Sequence, residues 1–178
     1  MRYFILTFIG DDEPGFVRSI AEVIANGEGN WLKSRMSQLD GKFAGLARIS
    51  VQEDKLASLK EALVTFSENK FALNIEDVEK SATAELNKYR LSILGNDRPG
   101  IVHEVTATLA SHQINLLEMS SNVSPAAMTG APMFSCDAIV EVATELDISA
   151  VDSQLTEIAD ELGVDIQFDE LSNSDEAL

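Results

Sequence analysis

The 178-residue chain carries 30 Asp and Glu against 13 Lys and Arg, for a formal net charge of −17, with ordinary globular apolar content and one cysteine. The N-terminus shows no signal-peptide pattern, no apolar run is long enough to span a bilayer, and a lone Cys136 excludes an intramolecular disulfide framework and fits a reducing cytoplasm. Every Lys and Arg lies before Pro99, with 15 acids after it; nucleic-acid affinity comes from cations neutralising phosphates, so the second half is excluded as a DNA or RNA surface, and an anionic membrane is disfavoured likewise.

Arg2 to Ile9 is rich in β-formers and reads as a strand. Pro14 suits a helix start, where its missing N–H is not needed. Phe16, Val17, Ile20, Val23 and Ile24 follow at helical spacing, and Gly27 and Gly29 are expected to end that helix. Asn30 to Leu39 and Phe43 to Val51 read as strands around an Asp40-Gly41 hairpin turn, with Ala47, Ile49 and Val51 on one face. Leu56, Leu59, Leu63 and Phe66 mark a second amphipathic helix, and Phe71 to Val78 a fourth strand. The order is βαββαβ.

A short polar linker follows. Tyr89 to Leu94 then reads as a strand, Ile101, Val102, Val105 and Leu109 as a helix, and Asn115 to Val123 and Phe134 to Val142 as strands. Ile148, Val151, Leu155, Ile158 and Leu162 line another helix, and Gly163 to Phe168 reads as the last strand. An acidic tail is expected to fray. The predicted division is 1–80 for the first unit, 81–86 for the linker, 87–170 for the second unit and 171–178 for the tail.

The second order repeats the first because the sequence does. Gly10-Asp11-Asp12-Glu13-Pro14-Gly15 returns 85 residues later as Gly95-Asn96-Asp97-Arg98-Pro99-Gly100, and Asn30-Trp31-Leu32 as Asn115-Leu116-Leu117. Such an offset means two copies of one fold unit. The copies diverge at Ser124 to Pro132, where two prolines and a glycine predict a loop. It is either a tolerated insertion or a flap over a site.

A doubled βαββαβ unit with Asp-x-Pro-Gly at its first strand-helix corner resembles the ACT domain, a family of small regulatory modules that bind amino acids. With two units and little else, the chain is similar to the glycine cleavage system transcriptional repressor family. The resemblance covers about residues 1–80 and 87–170. It implies an α+β fold of two tandem ferredoxin-like units, each an antiparallel sheet backed by helices. It also implies units paired side by side, with ligand between the corner of one unit and the second strand of its neighbour. Glycine is the implied ligand, a DNA-binding regulator the implied partner, and a homodimer and cytoplasmic location are expected.

The corner has chemistry suited to a zwitterion. An amino acid needs anion donors beside a cation acceptor. A helix N-terminus offers free amides and partial positive charge. Gly15 and Phe16, or Gly100 and Ile101, are the candidate amides, with glycine permitting close approach. Asp12 or Asp97 can accept the ligand ammonium, and Asn30 or Asn115 can add a polar group from the facing strand. Equally, each Asp is a turn and capping residue, and each Asn a turn former. The first corner crowds Asp11, Asp12 and Glu13 together. The second sets Asn96 and Arg98 around Asp97, and so is expected to be the better amino-acid site, leaving the first structural or cation-preferring.

Little in the sequence builds an enzyme, and acid–base chemistry on aspartates alone is the one catalytic alternative. His103 and His112 lie nine residues apart on one predicted helix, unlike the one-turn spacing of a helical metal pair. Cys136 sits in an alternating strand as a small buried hydrophobe. Ser34, Ser120 and Ser121 have no evident base. No catalytic residue, metal or cofactor is expected. The acidity is either a solvated face or a docking surface for a basic partner. Trp31 is an interface anchor or ordinary core. A ligand-independent interaction module stands as the alternative function.

Overall fold

The computed structural model describes residues 1–78 and 86–171. The chain divides into two compact units, Met1–Ala82 and Thr83–Leu178. Most of the predicted linker and tail lies outside the described residues.

In the first unit β1 (Arg2–Asp11) leads to α1 (Phe16–Asn26), β2 (Asn30–Leu39) and β3 (Lys42–Val51). A 3-10 turn (Glu53–Lys55) opens α2 (Leu56–Ser67), and β4 (Ala72–Asp77) closes the unit. The second unit repeats this as β5 (Asn87–Asn96), α3 (Ile101–Ser111), β6 (Asn115–Pro125), β7 (Pro132–Val142), α4 (Ile148–Leu162) and β8 (Val164–Glu170). The sheets are antiparallel, ordered β2-β3-β1-β4 and β6-β7-β5-β8. This is the predicted α+β, ferredoxin-like architecture.

Strand alternation puts one sheet face under the helices. Phe4, Leu6 and Phe8 of β1 and Ala47, Ile49 and Val51 of β3 are buried against Ile20, Ile24, Leu59 and Leu63. In the second unit Leu91, Ile93, Cys136, Ala138 and Val140 meet Val105, Leu109, Val151 and Leu155. Burial, with lesser help from Asp137, pushes the Cys136 thiol pKa up. Its thiolate is therefore scarce. The expected result with a thiol-reactive disulfide reagent is no titratable thiol in the folded protein and one after unfolding.

Several boundaries differ from expectation, each for a local reason. Pro14 does not begin α1. Gly15 is the N-cap, at φ 91°, as Gly100 is for α3, at φ 106°. Each proline sits before a left-handed glycine. α1 ends at Gly27, its C-cap, as expected, but the left-handed residue of the stop is Glu28, at φ 59°. Glu28 N–H donates to Ala25 O and Gly29 N–H to Ile24 O, which is a Schellman ending. Gln113 repeats it at the end of α3, at φ 57°. The glycines serve packing instead: a Cβ on Gly27 would lie 2.6 Å from Leu59 Cδ1.

Pro125 and Pro132 are paired strand residues, so only 126–131 loop out. The insertion lengthens the β6–β7 hairpin, and Ala126 N–H donates to Ala131 O across its tip. β5 begins at Asn87, two residues before the predicted Tyr89. Gly163, expected in the last strand, is the left-handed cap of α4 at φ 66°. β8 takes in Asp169 and Glu170.

Asp40 and Gly41 both have positive φ, as a two-residue hairpin requires. Of the four α-helices among the described residues only α4 has a side-chain cap, with Asp147 accepting from Ser149 N–H at 3.0 Å. Asp147→Ala is expected to cost about 1 kcal/mol, read as a lower urea midpoint.

Candidate functional site

The corner motif is explained position by position. Its first glycine is a packing glycine. A Cβ on Gly10 would stand 2.9 Å from Phe71 Cβ, and on Gly95 2.5 Å from Val164 Cγ1. The backbone amide of Asp12 donates to Gly41 O, and that of Asp97 to Pro132 O, both at 2.9 Å. These bonds tie each corner to its β-hairpin. The last glycine turns the chain into the helix, its carbonyl accepting from Ser19 N–H at 2.9 Å or Glu104 N–H at 3.0 Å.

The aspartate side chains are not spent on this geometry. Neither α1 nor α3 has a side-chain cap. Asp12 and Asp97 are exposed, and their carboxylates make no hydrogen bond or ion pair among the described residues. The capping alternative is thereby corrected: the fold uses the aspartate backbone and leaves the carboxylate unused. The amides of the first helical turn have no intrahelical acceptor. Phe16 is an exception among the candidates, because its N–H donates to Glu13 O at 3.2 Å.

The two corners are closer in charge than their sequences alone imply. Asp11 is ion-paired with Lys42. Arg18, overlooked in the sequence, lines a cleft of about 290 Å³ with Asp12, Gly15 and Phe16. Its position three residues after the capping glycine was the available signal, since a first-turn side chain leans back over the helix start. His103 occupies the same place after Gly100. At the second corner Arg98 is exposed and makes no ion pair among the described residues. Asn96 ends β5, paired with Met133, and Ile101 is buried in the core.

The asparagines lie elsewhere. Asn30 pairs with Ser50, which pairs with Tyr3, whereas the corner begins seven residues further along β1 at Gly10. At strand rise that is about 24 Å. Asn115 stands in the same relation to Gly95, through Glu141 and Lys88. Corner and asparagine therefore occupy opposite ends of one sheet. Asn115 Nδ2 reaches Glu141 Oε2 at 3.5 Å, and Asn30 is exposed.

Both asparagines open edge strands. β2 and β6 each carry a register shift at the same repeat position, between Trp31 and Lys33 and between Leu116 and Glu118. Every residue of β6 is exposed, including Leu116, Leu117, Met119 and Val123. Trp31 is half-buried and packs against the first core. His112 caps α3 and meets Gln154 Oε1 through Nε2 at 2.9 Å, while His103 is exposed. Among the described residues no group of three His, Cys, Asp or Glu could hold a metal, and no helix is long and apolar enough to cross a membrane.

Comparisons with known proteins agree with this geometry. ACT domain families match residues 2–77 and 89–160. A protein of unknown function from Galdieria sulphuraria has a similar crystal structure, with TM-score 0.86 and 27% identity over 96% of this chain and 99% of that one. A crystal structure provisionally named a glycine cleavage system transcriptional repressor has TM-score 0.73 at 14% identity, over 97% and 98%, which shows the shared fold. A UPF0237 protein of Pyrobaculum aerophilum is 35% identical over 75 residues, 42% of this chain and 77% of that protein. The chain belongs to the ACT domain family and carries two such domains in tandem.

Proposed function

We propose that the protein is a cytoplasmic amino-acid-responsive regulator, of the kind that represses a glycine cleavage system through a DNA-binding partner. The observation that carries the reading is the unused carboxylate of Asp12 and of Asp97, each beside an uncapped helix N-terminus. A carboxylate and free amides at one point suit the ammonium and carboxylate of a small amino acid. Glycine is the first ligand to test, as the one that the family resemblance implies. The second corner is the preferred site, with Arg98 as a further carboxylate partner.

Asn30 and Asn115 join such a site only from a second ACT unit, because within one unit they lie at the far end of the sheet. Ligand that favours one packing of units then biases assembly, and through it a partner's access to DNA. The acidic second half suits contact with a basic protein rather than with an operator.

The exposed apolar side chains of β6 favour one other reading, a ligand-independent interaction module, likewise not an enzyme. Thermal-shift measurement against the twenty amino acids, checked by calorimetry, separates the two. Sensing requires concentration-dependent stabilisation by a specific amino acid, and the module predicts none. A mobility-shift assay with DNA at physiological salt is expected to show no complex without the partner.

A further inference from the structure

We infer that β8, an edge strand of the second unit, is the docking site for an extended basic segment of a partner protein, which joins the sheet as a further strand. The inference gives the basic partner of the proposed function its place on the chain, and rests on that reading for there being such a partner. Sheet order leaves one side of β8 unpaired. Leu171 N–H donates to Lys88 O, and antiparallel alternation then turns the backbone of Asp165, Gln167 and Asp169 toward β5 and that of Ile166, Phe168 and Glu170 outward. A cleft of about 610 Å³ follows this edge. Thr156 and Asp160 of α4 line it on the helix side, and Ser92 and Asp137 on the open sheet face, so it passes round the strand. None of the corner residues from Asn96 to Gly100 lines it.

Charge selects the occupant. Ile166 and Phe168 pack toward the core, which puts Asp165, Gln167 and Asp169 on the open face. Asp160, Asp165 and Asp169 are exposed, and their carboxylates make no hydrogen bond or ion pair among the described residues. Arg90 stands opposite Asp169 on β5 without pairing with it. A strand laid on this edge sets alternate side chains beside Asp165 and Asp169, and the others toward Ile166, Phe168 and Ala159. Lysine or arginine suits the first set and apolar residues the second. The same acids exclude a second copy of this chain, because β8 against β8 would crowd like charges across the pair.

The fold does not require this edge. By register, β4 of the first unit places Ala72 where β8 has Asp165, Glu76 for Asp169 and Asp77 for Glu170. Glu76 accepts from Asn74 Nδ2 at 2.8 Å, and Asp77 is held by Lys60 Nζ at 2.7 Å. The acids of β4 are thus engaged within their own unit, whereas those of β8 are left for another chain.

The test is a titration of the full chain with a capped heptapeptide of alternating lysine and valine, read by calorimetry and by amide hydrogen exchange in NMR. The expected result is saturable binding with slowed exchange at Ile166, Phe168 and Glu170. A peptide of the same composition with its lysines in one block, and one of alternating glutamate and valine, are expected to bind roughly tenfold more weakly or not at all. Methylating one alternate set of peptide nitrogens is expected to abolish binding, and methylating the other set to be tolerated, as strand addition requires. Asp165→Asn with Asp169→Asn is expected to weaken the peptide roughly fivefold or more, the effect of two exposed charge pairs. Glu157→Gln with Glu161→Gln makes the same charge change on α4 outside the cleft and is expected to leave the affinity within about twofold. All four positions are exposed, so the melting temperature is expected to hold in both variants. Equal weakening by the two pairs, or tolerance of both methylated peptides, would reduce the contact to general charge attraction and overturn the proposal. Absence of slowed exchange at the three amides, or slowing at β2 or β6 instead, overturns it too. Protection of these amides by self-association without peptide makes a second copy the occupant and also overturns it. No amino acid enters the measurement, so failure of sensing at the corners leaves its outcome untouched.

Discussion

Replacing Gly95 with alanine is expected to destabilise the chain by about 3 kcal/mol, at the upper end of ordinary overpacking costs. The new Cβ would lie 2.5 Å from Val164 Cγ1 and 2.8 Å from Val164 Cα. A rotamer change can relieve the first clash but not the second. Val164 is buried, pairs with Gly95 at the start of β8, and directly follows the left-handed cap Gly163 of α4. Moving it disturbs both the strand pair and the helix ending. Gly100→Ala gives a useful contrast. Nothing lies within 4 Å of its Cβ position, so its cost is the strain of alanine at φ 106° alone, about 1–3 kcal/mol. Gly10→Ala should be milder than Gly95→Ala, since its closest contact, Phe71 Cβ, stands at 2.9 Å, whereas three Val164 atoms, Cα among them, lie within 2.8 Å of the Gly95 position. Urea unfolding of the three variants gives the order. A Gly95→Ala midpoint equal to the parent's would show that β8 can shift freely and that this reading of the motif is wrong.

These contrasts also show what the sequence makes legible. The element order was readable because period-2 and period-3.6 patterns alternate cleanly and occur twice. Ala47, Ile49 and Val51 are buried as their alternation predicts, and Asp40-Gly41 makes the turn that its residues favour. What failed were inferences from residue type where two physical uses compete. Glycine after a helix suggests a left-handed cap, yet at α1 Glu28 takes that conformation and Gly27 makes room for Leu59. Proline suggests a loop, yet Pro125 and Pro132 end paired strands. Asp before a helix suggests a cap, yet Asp12 and Asp97 hold the corner through backbone amides. Each depends on contacts distant in sequence, which local pattern does not encode. The site was half legible for the same reason. Repetition located the corners, but only strand register shows that Asn30 lies some seven residues of β1 away from Gly10.

Asp97→Asn is expected to abolish most amino-acid binding at the second corner while leaving the unliganded melting temperature unchanged. The second half follows from the structure. The Asp97 carboxylate is exposed and makes no hydrogen bond or ion pair among the described residues, and the bond to Pro132 O uses its backbone amide, which asparagine retains. The first half follows from charge. A hydrogen bond between ionised partners contributes about 1.5–3 kcal/mol, so its loss weakens binding roughly ten- to over a hundredfold. Asparagine keeps the shape and removes the charge, which separates electrostatic contact from space-filling. Asp12→Asn gives the matched comparison. Loss of the ligand's thermal stabilisation in the Asp97 variant alone locates the site at the second corner. Loss in the Asp12 variant alone would place it at the first and refute the preference argued from Arg98. Partial loss in each makes both corners sites, as their shared geometry allows. Full stabilisation by glycine in the double variant would mean that neither carboxylate is the ammonium partner. The unused aspartates would then be turn residues alone, and the corners would not sense an amino acid through them.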